Sequence, residues 1–177
     1  MAKFFKLHPI SQMIMQPTDL IKHPEGGRFR EVFRSDQSVT TATGDTRSAI
    51  THIYFSLDQG EISRFHRVSS DEVWNLYQGS GLRLHTWDGT EAPPRIVTLS
   101  ADTNCFCHVI PAGTWQAAEP ISGAVLVGCS VAPGFEFADF ELIAPASDQA
   151  RLIQSRHPHL SKFTEPNRQP NGPLGSV

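Results

Sequence analysis

Residues 60 to 79, GEISRFHRVSSDEVWNLYQG, decide the fold of this 177-residue chain. Within them, residues 63 to 68 and 72 to 77 alternate between polar and apolar side chains, which is typical of half-buried strands. A short polar turn joins the two segments, so they form neighbouring antiparallel strands. His66 lies on the first strand and Glu72 on the second. If both side chains point inward, an imidazole and a carboxylate meet inside the protein.

Further short alternating segments extend on both sides of this pair. Turn residues recur every eight to twelve positions, and no long helical period interrupts the strands, so the pattern predicts an all-β sandwich or barrel. The predicted strands span residues 28–34, 48–57, 63–68, 72–77, 82–87, 95–99, 105–110, 114–118 and 124–131.

The flanking segments differ from this central region. We predict one domain, with residues 1–144 forming the barrel and a short N-terminal helix at residues 10–15 that Pro17 limits. The polar run from Ser35 to Thr46 is predicted to be a long, mobile loop. Residues 145–156 are predicted to form a surface helix, and the repeated X-Pro pairs in residues 157–177 favour an extended or disordered tail.

Composition excludes several classes of function. The net charge is −3, and basic residues do not cluster, so no nucleic-acid partner is expected. The sequence has no apolar run long enough for a membrane span or a signal peptide. The three cysteines are odd in number and lie in apolar runs, which is consistent with buried, reduced thiols. A cytoplasmic protein is therefore expected.

The opening stretch resembles the first motif of the cupin superfamily. That motif is a glycine, five residues, His-x-His, three residues, a glutamate, six residues and a glycine. Four positions match it, namely Gly60, His66, Glu72 and Gly79. Val68 occupies the second histidine position. The second cupin motif, Pro-x-Gly-x-x-His, resembles residues 111 to 116, where Gln116 stands in place of the histidine.

Within the superfamily, the chain is most similar to the cupin 5 group. The similar segments, between about residues 10 and 143, are residues 23–31, 65–74, 111–118 and 131–137. The resemblance implies a cupin jelly roll, which is a double-stranded β-helix, with a short N-terminal helix. It also implies a homodimer, because cupins commonly cover sheet edges and apolar faces by pairing. The charged strand 28–34 and the segment around Phe135 are the expected contacts.

The candidate catalytic residues are His66 and Glu72, which alternatively form a satisfied buried polar pair without a chemical role. The expected ligand-binding residues are Arg30, Arg64, Trp74, Gln116 and Tyr54. The arginines could bind an anion, and Trp74 could stack on a sugar or base or belong to the core.

The chain retains only part of the metal-ligand set that is typical of cupins. Cupins that bind iron, manganese or nickel typically use three histidines and a glutamate. In this chain only His66, Glu72 and Gln116 remain at those positions, and an amide oxygen is a poor ligand for a transition metal. We predict no cofactor, although a weakly held divalent metal on these three residues stays open.

The resemblance suggests a barrel that binds a small polar ligand, carbohydrate-like or nucleotide-like. Metal-free cupins include sugar-nucleotide epimerases that use a barrel histidine as base, so His66 could serve a metal-independent isomerase or epimerase. Two alternatives remain. One is a metal-dependent enzyme that uses His66, Glu72 and Gln116, and the other is a non-enzymatic small-molecule binding protein.

Overall fold

The computed structural model describes residues 19–166, which form thirteen strands and one α-helix. The first seven strands are β1 (Ile21–Lys22), β2 (Arg28–Arg34), β3 (Ser38–Thr40), β4 (Thr46–Ser48), β5 (Thr51–Leu57), β6 (Ser63–Val68) and β7 (Asp71–Gln78). The remaining elements are β8 (Leu82–Trp87), β9 (Arg95–Leu99), β10 (Cys107–Ile110), β11 (Trp115–Pro120), β12 (Val125–Ala132), β13 (Phe140–Leu142) and α1 (Asp148–Arg156).

Two antiparallel sheets form the body of the protein. One sheet has six strands in the order β1-β2-β5-β12-β7-β10, and the other has five in the order β13-β6-β11-β8-β9. Strands that are distant in sequence lie side by side, as β5 and β12 do, while β6 and β7 are joined by a tight turn but belong to opposite sheets. This arrangement confirms the predicted all-β jelly roll. It also corrects one detail, because the strands of His66 and Glu72 face each other across the sandwich.

The main core lies between the two sheets. Inward-facing residues from both sheets are almost completely buried there, and the largest are Phe55, Leu57, Trp74, Leu82, Leu84, Leu99 and Ile110. These residues alternate with outward-facing ones along each strand, as the sequence pattern predicts. Beside part of this core, a cavity opens between the sheets along β2, β5, β6, β7 and β12.

A second core covers the outer face of the five-stranded sheet. Phe65, Trp87 and Trp115 point outward from the sheet and pack against Ile153 of α1 and against Phe163. The helix prediction for residues 145–156 is therefore confirmed in type, with α1 slightly shorter. Ser147 caps it by accepting a hydrogen bond from the Ala150 amide.

Two segments differ from the sequence-based expectation. Residues 157–177 were expected to form an extended or disordered tail, but within the described part of this segment Pro158–Phe163 is a 3-10 helix whose Leu160 and Phe163 are buried. The polar run from Ser35 to Thr46 was expected to be a loop, but β3 and β4 pair within and just beyond it as a small hairpin, with Val39 opposite Arg47. β-Branched Val and Thr at these positions favour such pairing.

The predicted N-terminal helix at residues 10–15 and the tail beyond residue 166 lie outside the described residues. In the described part of the chain, no helix is long and apolar enough to cross a bilayer.

Candidate active site

A cavity opens between the two sheets and is lined by His66, Val68 and Glu72 of the first cupin motif. The centres of water molecules could occupy about 100 Å³ of it. A single water needs only about 10–15 Å³ by this measure, so the cavity can hold a small organic molecule. Most of the wall is apolar, and its aromatic side chains are Phe29, Phe55, Trp74, Phe135, Phe137 and Phe140. The titratable groups that line it are His23, Glu25, Glu31, Arg34, His66, Glu72 and Cys129 together with Glu136.

The loop from His23 to Gly27 supplies two groups that the sequence analysis did not identify. Backbone hydrogen bonds close this loop, since the His23 amide donates to the Gly27 carbonyl and the Gly26 amide donates to the His23 carbonyl. Gly27 has a positive φ of 67°, and a Cβ there would lie 2.6 Å from the Ser56 carbonyl oxygen, so only glycine fits. The tight loop turns the side chains of His23 and Glu25 into the cavity.

Glu25 is the partner of His66. Its Oε2 lies 3.2 Å from His66 Nε2 and 3.2 Å from His23 Nδ1. Its Oε1 accepts a 2.7 Å hydrogen bond from the Ser63 hydroxyl. Burial alone would raise the pKa of Glu25, but the two imidazoles and the hydroxyl outweigh it, and the pKa lies below the ordinary value. Glu25 is therefore a buried carboxylate held in its ionised form.

The tautomer of His66 follows from its other ring nitrogen. Nδ1 lies 2.8 Å from the Arg64 carbonyl oxygen, and a carbonyl can only accept, so Nδ1 carries a proton. Nε2 is then the nitrogen that can gain or lose a proton, and it points at Glu25. A proton taken up by Nε2 would be stabilised by the Glu25 carboxylate beside it.

Glu72 occupies a different environment in the same cavity. The indole Nε1 of Trp74 donates to Gln116 Oε1 at 2.8 Å, and Gln116 Nε2 donates to Glu72 Oε2 at 2.5 Å. An indole N–H can only donate, so Trp74 fixes the orientation of the amide and Glu72 Oε2 must accept. Burial raises the pKa of Glu72; the charge of Glu25 raises it further, and that of His66 opposes both.

His66 and Glu72 both line the cavity, but the carboxylate in direct contact with His66 is Glu25. Burial raises the pKa of Glu72, and the charge of His66 opposes this shift. The sequence carried one signal for this arrangement. His23-Pro24-Glu25-Gly26-Gly27 places a histidine and a glutamate directly before two glycines in one of the cupin-like segments.

The remaining predicted ligand-binding residues do not line the cavity. Tyr54 lies on the outer face of the six-stranded sheet, where its ring is 6.0 Å from that of Tyr77. The Arg30 guanidinium lies 5.8 Å from the Tyr54 ring on this outer face. Gln116 is completely buried behind Glu72 and acts on the cavity only through that carboxyl group.

Two β-bulges explain why the wrong arginine was expected in the cavity. In β6, Ser63 pairs opposite Ala118 and His66 opposite Gln116, so an extra residue interrupts the alternation. As a result Ser63, not Arg64, shares the inner face with His66, and the Arg64 guanidinium donates to the Pro24 carbonyl. A second bulge lies in β2 between Glu31 and Phe33, and it turns the side chain of Arg34 toward the cavity.

Arg34 spans the cavity mouth. Its Nε and one Nη donate to the two carboxylate oxygens of Glu31, at 3.0 and 2.8 Å. The other Nη donates to Glu136 at 2.7 Å, and a further contact reaches the Phe135 carbonyl. The guanidinium therefore links strand β2 to the segment after β12 and is neutralised by two carboxylates.

The residues present do not fit the metal site that the cupin fold implies. Val68 lines the cavity where a second histidine would ligate. The Gln116 oxygen already accepts from Trp74, and its nitrogen donates to Glu72, so neither faces an ion. Within residues 19–166, no group of three or more histidine, cysteine, aspartate or glutamate side chains has the arrangement of a metal site.

Comparison with known proteins agrees with the fold. Residues 12–143 match the family model Cupin_5, described as "Cupin superfamily (DUF985)". The uncharacterized protein YML079W of Saccharomyces cerevisiae is 26% identical over 159 residues, which cover 80% of this chain and 79% of that protein.

Two solved structures are similar over most of their length. A hypothetical protein from Leishmania major has a TM-score of 0.69 and 28% identity, and the match covers 85% of this chain and 94% of that one. Protein SO0799 from Shewanella oneidensis has a TM-score of 0.69 and 29% identity, with 84% and 92% covered.

Proposed function

This chain belongs to the cupin superfamily, in the family DUF985, and we propose that it catalyses metal-independent proton transfer on a small carbonyl compound. The reaction class is an isomerisation or epimerisation next to the carbonyl. The observation that supports it most is the pairing of His66 with the ionised Glu25, in the same cavity as Glu72, whose pKa is raised by burial. Two titratable sites with opposite protonation preferences are the basis of acid–base assignments in many enzymes.

Each group has a role in this proposal. His66 Nε2 takes the proton from the carbon beside the carbonyl, and Glu25 stabilises the imidazolium that forms. Glu72 donates a hydrogen bond to the carbonyl oxygen, where negative charge develops. Gln116 occupies Glu72 Oε2, so the acid proton of Glu72 resides on Oε1. Trp74 is a positioning residue, because it holds the Gln116 amide in this orientation.

The lining also bears on the two ligand classes expected from the sequence. A nucleotide needs cations for its phosphates, and Arg34 is the only arginine or lysine among the described lining residues. A carbohydrate-like hydroxycarbonyl compound can instead pack a nonpolar face on aromatic rings and place its polar end at Glu72 and His66. The geometry therefore favours the carbohydrate-like class over the nucleotide-like class.

The test measures proton exchange directly. Small hydroxyaldehydes and hydroxyketones are incubated with the protein in D₂O, and loss of the proton signal next to the carbonyl is followed by ¹H NMR. The wild-type protein is expected to catalyse exchange with at least one compound. His66→Gln and Glu25→Gln should lose it by about 10²–10⁴-fold, the usual contribution of a general base.

The control is His159→Gln, which changes an exposed histidine outside the cavity and should retain the wild-type rate. Exchange that survives in His66→Gln would refute the role of His66. A compound that binds but shows no exchange above background would indicate a binding protein instead of an enzyme.

A further inference from the structure

The charged groups around the cavity are already paired with one another. Arg34 is neutralised by Glu31 and Glu136 at the mouth. At the inner end, Glu25 contacts both His23 and His66 and accepts from Ser63. In the described part of the lining, the carboxylates and Arg34 therefore already have hydrogen-bond or ion-pair partners within the protein.

The total charge of the lining residues also gives no attraction for an anionic ligand. Glu25, Glu31 and Glu136 contribute three negative charges and Arg34 one positive charge when Glu72 is neutral. The lining thus carries two negative charges if both imidazoles are neutral and no net charge if both are protonated. Ionisation of Glu72 would make it more negative, so the lining is not positively charged in any of these protonation states.

These charges disfavour a charged ligand of either sign. An anion would lose its hydration among aromatic side chains and find no unpaired cation in exchange. A cation would meet carboxylates that already accept from Arg34, Ser63 or the imidazoles. An uncharged ligand incurs neither cost, and it gains burial against Phe29, Phe55 and Phe140.

We infer that the cavity selects an uncharged ligand, a small carbonyl compound that carries neither phosphate nor carboxylate and packs one nonpolar face on the aromatic wall. This inference rests on the proposed function for the carbonyl group. The charge selection itself depends only on the paired lining residues. It excludes phosphorylated sugars, sugar nucleotides and keto acids, and it assigns a selective role to the Arg34 bridge at the mouth.

The test uses three probes of nearly equal shape and different charge: benzamide, benzoate and benzamidine. Binding is measured at pH 7.5 and low ionic strength by methyl NMR of the protein labelled at isoleucine and valine. Benzamide should shift the signals of Ile53, Val68 and Val131, which line the cavity, and leave those of the exposed Ile96 and Val109 unchanged. Both charged probes should bind at least about tenfold more weakly, because burial of an unpaired charge is costly.

A variant at the mouth tests the electrostatic cause. Glu136→Gln removes one negative charge beside Arg34, so benzoate should bind about tenfold more tightly than to the wild type, while benzamide affinity stays within about twofold. Glu91→Gln removes an exposed charge outside the lining and should leave all three affinities unchanged, because salt screens remote surface charges.

Three results would overturn the inference: benzoate or benzamidine binding as tightly as benzamide, no cavity shifts with benzamide, or no effect of Glu136→Gln on benzoate. Proton exchange is measured separately from probe binding. Absence of exchange with normal charge selection would therefore reject the proposed reaction alone, and exchange with a phosphorylated or carboxylated substrate would reject the charge selection alone.

Discussion

At the residue scale, two buried glutamates in one cavity have pKa values that are shifted in opposite directions. Glu25 lies between two imidazoles and a hydroxyl group, all of which favour the carboxylate. Glu72 lies against an amide and the Cys129 thiol, and burial dominates its titration. Burial raises the pKa of Cys129 well above its ordinary value, so this thiol stays protonated. The surroundings, not the residue type, shift the pKa values of the two glutamates in opposite directions.

Glutamine substitutions should separate the two glutamates by stability. Glu25→Gln removes one partner of a buried charge pair and should lower the free energy of unfolding by roughly 3–5 kcal/mol at pH 7. Glu72→Gln keeps the shape and the acceptor for Gln116 and removes a carboxyl group whose ionised form is disfavoured by burial, so it should cost less than about 0.5 kcal/mol or stabilise the protein. Urea unfolding of both variants, with the exposed Glu91→Gln as control, measures these differences.

The two glutamates should stabilise the folded protein over different pH ranges. The pKa of Glu25 is lowered on folding, so its contribution is present above the unfolded value near 4.5 and is lost as the pH falls through the folded pKa. The pKa of Glu72 is raised, so its contribution is present below about 4.5 and is lost as the pH rises through the folded pKa. Glu72→Gln should remove the loss that Glu72 contributes as the pH rises above the unfolded value near 4.5. An equal cost of Glu25→Gln and Glu72→Gln at pH 7 would mean that Glu72 is ionised in the folded protein.

At the element scale, strand existence was predictable from the sequence and side-chain direction was not. Alternation placed Trp74 and Glu72 on one inner face correctly, because β7 is regular between them. It failed at Arg64 and Arg34, where one extra residue in β6 or β2 reverses the direction of the side chains beyond it. A bulge changes no composition and no hydrophobic period, so the single sequence contains no direct mark of it. Glu25 was not predicted as a site residue for a related reason: it lies in a loop, and loops lack the periodicity that assigns side chains to a face.

The spacing of apolar residues after α1 indicated a buried face, although the prolines in this segment favoured an extended tail. Leu160 and Phe163 are three residues apart, which places them on one side of a 3-10 helix with three residues per turn. Both pack on the outer face of the five-stranded sheet, where the Phe163 ring lies 5.8 Å from Phe65 and 4.8 Å from His85. An X-Pro pair marks the start of this helix, because proline is tolerated in the first turn.

Phe163→Ala should therefore destabilise the protein by about 3–5 kcal/mol, the usual cost of truncating a fully buried phenylalanine. Phe106→Ala is the matched control, because Phe106 is 51% exposed and its truncation should cost about 0.5 kcal/mol or less. Chemical denaturation of both variants gives the comparison. Similar costs for the two would show that the 3-10 helix does not pack on the sheet in solution.

At the scale of the whole molecule, a rim of exposed apolar side chains lies on β2 and on the segment after β12, which Arg34 links. Phe33 and Val32 on β2 are 53% and 39% exposed, and Phe137, which also lines the cavity, is 54% exposed. Arg34 joins these two regions through Glu136. They coincide with the two segments, the charged strand 28–34 and the region around Phe135, from which the sequence predicted contacts between subunits. Aromatic residues and arginine are enriched in the central parts of protein interfaces, so this rim has a suitable composition for such a contact.

We expect a homodimer that buries this rim. Light scattering coupled to size exclusion should give a mass near twice the 19.6 kDa of one chain at micromolar concentration. Phe33→Glu places a charge in the expected contact and should shift the mass to that of a monomer, because an unpaired buried charge is costly. Ile96→Glu, at a position that is 56% exposed on the opposite sheet, introduces the same charge and should leave the dimer intact. A wild-type monomer, or equal dissociation by both variants, would contradict this interface. If the interface forms there, each subunit borders the cavity mouth of the other, and Phe33→Glu should also change probe access to the cavity.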